Sequence, residues 1–234
     1  MAKVVDKFTG SLSGQLGDMV YRRYKNGSVF VARQKSVNTI SYSPKCIKTR
    51  NNFKVAVAFA KASNLLPDIH TVWKNSVYEG RSPYTKILKA NIGTVNSYML
   101  PGASTKLTPK GFGLNVKFLS LTKDKINFSI SLPEFAKSFV NIKFIINCVL
   151  ALYNPIQSEN ETDKEPEFIC VSDYSEITFP DYDNFHTFEF NLNSMNSLAL
   201  SKYRNAKIFL ALTNTEGSKH IFSGTFHFDS RISE

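Results

Sequence analysis

The chain has 234 residues, of which 42% are hydrophobic, and a formal net charge of +10. That size and composition suit one or two globular domains with an ordinary buried core, and no run approaches the ~20 apolar residues of a membrane span. The opening MAKVVDKFTG lacks the apolar centre of a secretory signal, and Cys46, Cys148 and Cys170 are scattered without C-x-x-C spacing, which reads as reduced thiols and cytoplasmic synthesis.

The first fifty residues carry the most organised pattern. Gly10, Gly14 and Gly17 punctuate an arm that suggests close backbone contact or a loose segment. Met19 to Tyr24 and Ser28 to Arg33 then alternate side chains as two strands, with Lys25, Asn26 and Gly27 between them. Asn26-Gly27 is the structural turn, since a type I′ turn needs two residues with positive φ. A two-stranded ribbon is marginal in water, so this one must lie on the rest of the chain or on a partner.

Ser43-Pro44 opens a helix as cap and first residue. Phe53, Val57 and Ala60 follow helical spacing, while Lys48, Arg50, Lys54 and Lys61 lie off that stripe. Pro67 is expected to end this helix and Asp68 to cap a second one, which carries Trp73. Ser82-Pro83 repeats the signal for a third. Trp73, the one tryptophan, reads as a core anchor between these helices, because indole buries a large area. Residues 100–113, LPGASTKLTPKGFG, read as a linker.

Beyond the linker, seven runs alternate apolar and polar residues with β-branched and aromatic enrichment: 114–121, 125–132, 141–152, 167–172, 185–192, 206–212 and 220–228. Seven short strands in this length suggest an immunoglobulin-like sandwich. The expected class is α+β: residues 1–99 as basic arm, β-hairpin and about three helices, 100–113 as linker, and 114–234 as an all-β sandwich domain. A Cys148–Cys170 bridge stays open should the two face each other across strands.

Charge divides unevenly. Residues 1–113 carry 18 Lys/Arg and 4 Asp/Glu, a net +14; residues 114–234 carry 11 and 15, a net −4. Such asymmetry marks a partner surface, either an acidic protein neighbour or nucleic acid. Arg22, Arg23, Lys25, Arg33, Lys35, Lys45, Lys48, Arg50 and Lys54 are the candidate contact residues for assembly or a polyanion. Tyr21, Tyr24, Phe30, Tyr42 and Phe53 interleave with them, which suits base stacking and equally cross-strand packing.

Enzyme motifs are missing: no G-x-S-x-G, Walker A, H-E-x-x-H or G-x-G-x-x-G occurs. His186 and His227 alternate with Phe and should face solvent. Acidic residues cluster at Glu159, Glu161, Asp163, Glu165 and Glu167, and again at Asp181, Asp183 and Asn184. Neither has the glycine-bearing loop of a calcium site, and solvated loops account for both. A sugar-binding or hydrolytic reading has only these two loops behind it. No catalytic residue, metal, cofactor or small-molecule substrate is expected.

One set of residues carries a resemblance. Gly14, Leu16, Gly17, Val20 and Tyr21, then Gly27 and Arg33, Ser43-Pro44, Arg50-Asn51-Asn52-Phe53, Trp73, and Gly80-Arg81-Ser82-Pro83-Tyr84 form an ordered pattern over about residues 8–95. It resembles an uncharacterised family of short basic proteins found in Bacteroidota and their phages. The resemblance implies a virion or tail-like component and carries over no catalytic residue. The expectation is therefore a non-enzymatic structural subunit of a phage or phage-like particle. It would be made in the bacterial cytoplasm and incorporated into the particle, in contact with other copies or other virion proteins. The alternative is a nucleic-acid-binding protein whose basic half contacts phosphates.

Overall fold

A computed structural model describes residues 3–4, 12–16, 18–23, 29–33, 43–133, 142–156, 165–181, 184–215 and 220–233. Among them the chain is a mixed α/β structure, mostly β, with four helices and three sheets. They divide into two units, Met1–Ile47 and Lys48–Glu234. No helix of the described residues is long and apolar enough to cross a membrane.

The first unit holds an antiparallel sheet in the order β1-β2-β3-β4: β1 (Lys3–Val4), β2 (Leu12–Leu16), β3 (Met19–Arg23) and β4 (Val29–Arg33). Of the arm's glycines, Gly14 lies in β2 opposite Tyr21, and Gly10 and Gly17 lie outside the described residues. The turn residues Lys25, Asn26 and Gly27 lie outside the described residues, as does Lys35.

Helix α1 (Pro44–Asn64) starts where Ser43 Oγ accepts the Cys46 N–H at 3.4 Å, the N-cap arrangement that satisfies an orphan donor. Its alanine-rich second half buries Val55, Ala56, Phe59, Ala60 and Ala62. Pro67 does more than stop this helix, because it is also the first residue of α2 (Pro67–Lys74). Proline loses no hydrogen bond in a first turn, so one residue can serve both ends. Asp68 is consequently not a cap. Its carboxylate accepts from the hydroxyls of Thr213 (2.6 Å) and Thr215 (2.9 Å). Helix α3 (Pro83–Asn91) is capped by Ser82, whose side chain accepts from the Thr85 N–H.

The remaining strands form two sheets. One is β5 (Asn115–Leu121), β6 (Lys125–Ser131) and β9 (His186–Asn191), in the order β5-β6-β9. The other runs β8-β7-β10, from β8 (Phe168–Thr178), β7 (Lys143–Pro155) and β10 (Tyr203–Asn214). Both β11 (Ile221–Phe222) and β12 (Phe226–Arg231) pair with β10. A fourth helix, α4 (Ser194–Leu200), separates β9 from β10 and was not visible as an apolar stripe.

Strands β7 and β10 are buried on both sides. Phe144, Ile146, Cys148, Leu150 and Leu152 alternate with Ala206, Ile208, Leu210 and Leu212 into a core shared with Ile126, Phe128 and Ile130 of the smaller sheet. The intervening Val149, Ala151, Phe209 and Ala211 belong to a second core with Phe59, Ile69, Trp73, Ile87 and Leu107. The molecule around this sheet therefore has three layers: helices, sheet, sheet. Trp73 is fully buried, and its Nε1 donates to Leu107 O at 2.7 Å. Phe59 meets Phe209 edge to face at 5.1 Å.

The same alternation settles the cysteines. Cys148 pairs with Asp173 in the β7–β8 register and lies in the first core; Cys170 pairs with Ala151 and packs on the second. The two thiols sit on opposite faces of one sheet and are unbridged.

Residues 100–113 are docked rather than loose. The Leu107 and Thr108 N–H groups donate to Thr225 Oγ1 at 2.8 and 3.1 Å, and the Phe112 N–H donates to Phe222 O at 3.1 Å. Gly111 is required by that approach: a Cβ there would stand 2.4 Å from the Ser223 carbonyl carbon and 2.5 Å from Phe222 O. Gly93 has open space at the same distance. Gly111→Ala should cost about 1–3 kcal/mol through backbone displacement. Gly93→Ala should leave stability within about 0.5 kcal/mol. Urea unfolding of both variants reads the difference, and equal midpoints would contradict the contact.

Candidate functional site

The basic residues come from three elements. On the sheet, Arg22 is opposite Phe30 and Arg33 opposite Met19. These pairs fall on opposite faces, since side chains alternate along a strand. Arg22, Phe30, Met19 and Arg33 are all exposed, and among the described side chains of β3 and β4 none is buried. Each face therefore mixes cation and apolar surface among its described side chains. Arg23 holds the register position opposite Val29.

Helix α1 supplies Lys45, Lys48, Arg50 and Lys54, all exposed, and Lys61. Arg50, Lys54 and Lys61 recur at spacings of four and seven, so they share one face. That face lies opposite the stripe of Val55, Phe59 and Ala62. From Pro44 to Lys54 the helix buries no side chain, and Ile47 and Phe53 are exposed at 40% and 48%. The whole of α1 contains no Asp or Glu.

Lys45 and Lys48 stand in the first turns, at the positive end of the helix dipole. Cations there are disfavoured in an isolated helix, and with the Cys46 and Ile47 N–H groups already taken by Ser43 an anion would be met by the lysine side chains. The arrangement can neutralise carboxylates or phosphates, and its exposed Phe53 and Ile47 add apolar contact.

The acidic side is largely committed. Glu165 is 2.6 Å from Lys202 Nζ, Glu176 is 2.6 Å from Lys143 and Glu189 is 2.7 Å from Lys125. Asp173 Oδ2 accepts from the backbone and side chain of Asn193 and from Asn196 Nδ2, which holds α4 on β8. Asp181 accepts from the Asn184 N–H and lies 3.1 Å from His186 Nε2. Desolvation would raise the Asp181 carboxyl, but the Asn184 hydrogen bonds and His186 together hold it below its ordinary value. His186 is not fully solvent-facing as alternation suggested, because its ring packs 6.1 Å from Phe179. Glu159, Glu161, Asp163 and Asp183 lie outside the described residues. Among the described residues no group of three or more His, Cys, Asp and Glu converges on a metal-sized space.

Comparison with known proteins found no matching family model, no curated relative and no similar solved structure.

The anchoring of the acidic segment gives a measurable pH dependence. Tyr203 donates its hydroxyl to Pro166 O at 2.9 Å and is 2% exposed. Burial first, then the Glu165 charge, push its hydroxyl from 10.0 to about 12. The unfolded chain loses this proton near 10 and the folded chain near 12. The Tyr203 contribution to stability is thus complete below pH 10 and is lost as pH rises through that window. Burial also raises Cys148 and Cys170, which adds a decline starting near 9. Tyr203→Phe should flatten the pH 10–12 part by roughly 2 kcal/mol, after a loss of about 1 kcal/mol at neutral pH for the missing hydrogen bond. Thermal or urea unfolding across pH 8–12 would show it, and parallel curves for the two proteins would contradict the assignment.

Proposed function

We propose that the chain is a non-enzymatic structural subunit of a phage or phage-like particle, capsid- or tail-associated, whose basic front portion makes the assembly contacts. The observation that carries this reading is that none of the described side chains of β3, β4 and the first half of α1 is buried. Strands β3 and β4 and the first half of α1 expose Met19, Phe30, Val31, Ile47 and Phe53 among cations. Ribbons and lone helix ends are marginal in water, so a partner surface stabilises them. Strand β4 ends its sheet, and such edges accept a neighbour's strand. The virion assignment rests on the family resemblance of residues 8–95.

The body fits this role as an immunoglobulin-like sandwich. Counting from β5 to β12 and leaving out the two-residue β11, the first, second and fifth strands share one sheet, and the third, fourth, sixth and seventh share the other. That grouping supports an immunoglobulin-like reading with the fourth strand beside the third. The helices that pack on its second sheet make the body wider than such a domain alone.

One observation favours a second reading, binding of nucleic acid. Lys45 and Lys48 at the positive helix end and the Arg50–Lys54–Lys61 face would meet phosphates well. The two readings separate cleanly. Light scattering of the full chain should give a concentration-dependent multimer that falls to monomer on removal of residues 1–35. A monomer at all concentrations, unchanged by truncation, would overturn the assembly reading. Duplex retention that falls steeply with salt, and that Arg50→Glu with Lys54→Glu abolishes, would establish the second.

A further inference from the structure

The helix layer covers only part of the sheet face on which it packs. Past Val149 and Ala151 on that face comes Tyr153, with Phe168 opposite it; before Phe209 comes Lys207, with Asp229 opposite it. These side chains floor an open cleft of about 690 Å³, and the loop from Asn96 to Leu100 forms part of its wall.

That loop is built to present a ring. Asn96 Oδ1 accepts the N–H groups of Tyr98 and Leu100, both at 3.0 Å, and the Asn96 N–H returns to Leu100 O at 2.9 Å. Tyr98 is left 83% exposed at the cleft. Met99 has φ of +57°, and Asn154, across the cleft, has the same value. They are the non-glycine residues in left-handed backbone among the described residues. Such backbone costs free energy and clusters where a surface has a use.

The lining chooses among ligand classes. Lys207, almost buried, has its Nζ 2.7 and 2.9 Å from the two Asp229 oxygens, so its charge is matched. Glu167 on the rim has no ion-pair partner among the described residues. Among the lining residues the charge left over is thus one carboxylate, which disfavours an anionic ligand such as phosphate; Arg231 stands on the same face two residues beyond Asp229 and does not line the cleft. A plain hydrocarbon would strand the carboxylates and the ammonium without water. Three rings, two carboxylates as acceptors, and the Lys207 and Asn154 donors suit a ring with an apolar face and a hydroxylated rim. We propose that this cleft binds a saccharide, stacked on Tyr98 and hydrogen-bonded through Glu167 and the Lys207–Asp229 pair. The assignment is to binding alone and stands independently of the assembly reading.

Saturation-transfer NMR on the full chain, with glucose, galactose, mannose and N-acetylglucosamine at millimolar concentration, tests it. At least one sugar should receive saturation. Tyr98→Ala and Glu167→Gln should each weaken that binding about tenfold, the effect of losing one stacked ring or one charged hydrogen bond. Both side chains are exposed, so circular dichroism should report an unchanged fold. No transfer to any of the four sugars would overturn the proposal, as would transfer undiminished in both variants. So would inorganic phosphate or a lysine-rich peptide proving to be the ligand that these two variants lose.

Discussion

Two strands with no polar face hold the larger unit together. β7 and β10 pair over ten register positions, from Tyr203↔Pro155 to Thr213↔Ile145. Over most of that length both faces are spent on apolar packing, one against β6 and one against the helices. Side chains alternate along a strand, so a shift by one residue would exchange the two sets of core residues wholesale. Helices, linker segment and smaller sheet are thus all fixed to one register.

Polar contacts within that apolar sheet do the locating. Asn147 is fully buried on the helix side and donates to Thr213 Oγ1 at 2.8 Å, while Thr213 donates onward to Asp68 at 2.6 Å. The chain Asn147–Thr213–Asp68 ties β7, β10 and the first turn of α2 into one hydrogen-bonded line. Asn147 Oδ1 is buried without a partner among the described residues, so the line is held by its donors, and a rotated α2 would take the Asp68 acceptor away from Thr213 and Thr215. Apolar packing supplies the adhesion here, and the polar line supplies the angle at which the helix sits. Asn91 acts likewise at the other end, exchanging hydrogen bonds with both the N–H and the carbonyl of Lys106 at 2.7 and 2.9 Å.

This explains what could be read from the residues and what could not. The strand runs were legible because β-branched and aromatic residues repeat there, and all seven contain a strand in the structure. Ser82-Pro83 marked α3 through cap chemistry that is local by nature. The layering was not legible. The run NIKFIINCVLAL looks like an alternating strand with extra hydrophobics, and only the helices above it reveal why Val149 and Ala151 are apolar. The segment 100–113 reads as a linker because threonine, glycine and proline are turn formers. Yet Thr108 and Gly111 are there to bond and to approach Ser223 and Phe222. Helix α4 is set by Asn193 as cap and by Asp173, a residue 20 positions away, so no local window contains its cause. On the candidate contact residues, the spacing of Arg50 and Lys54 was readable as one helix face. The division of Arg22 and Arg33 between two sheet faces followed from a register that pairing alone defines.

The cleft follows from the same construction. A helix layer shorter than the strands beneath it must leave part of the sheet face open. The chain could have ended β7 and β10 where the helices end, or filled the excess with small polar residues. Instead that stretch carries Tyr153, Phe168 and a matched Lys207–Asp229 pair, walled by a loop whose own hydrogen bonds hold an aromatic ring out in solvent. Matched charges and rings are expensive to leave half-dry unless water or a ligand completes them. The rings, the matched pair and the wall loop together are the physical ground for treating the cleft as a recognition surface and not as leftover space.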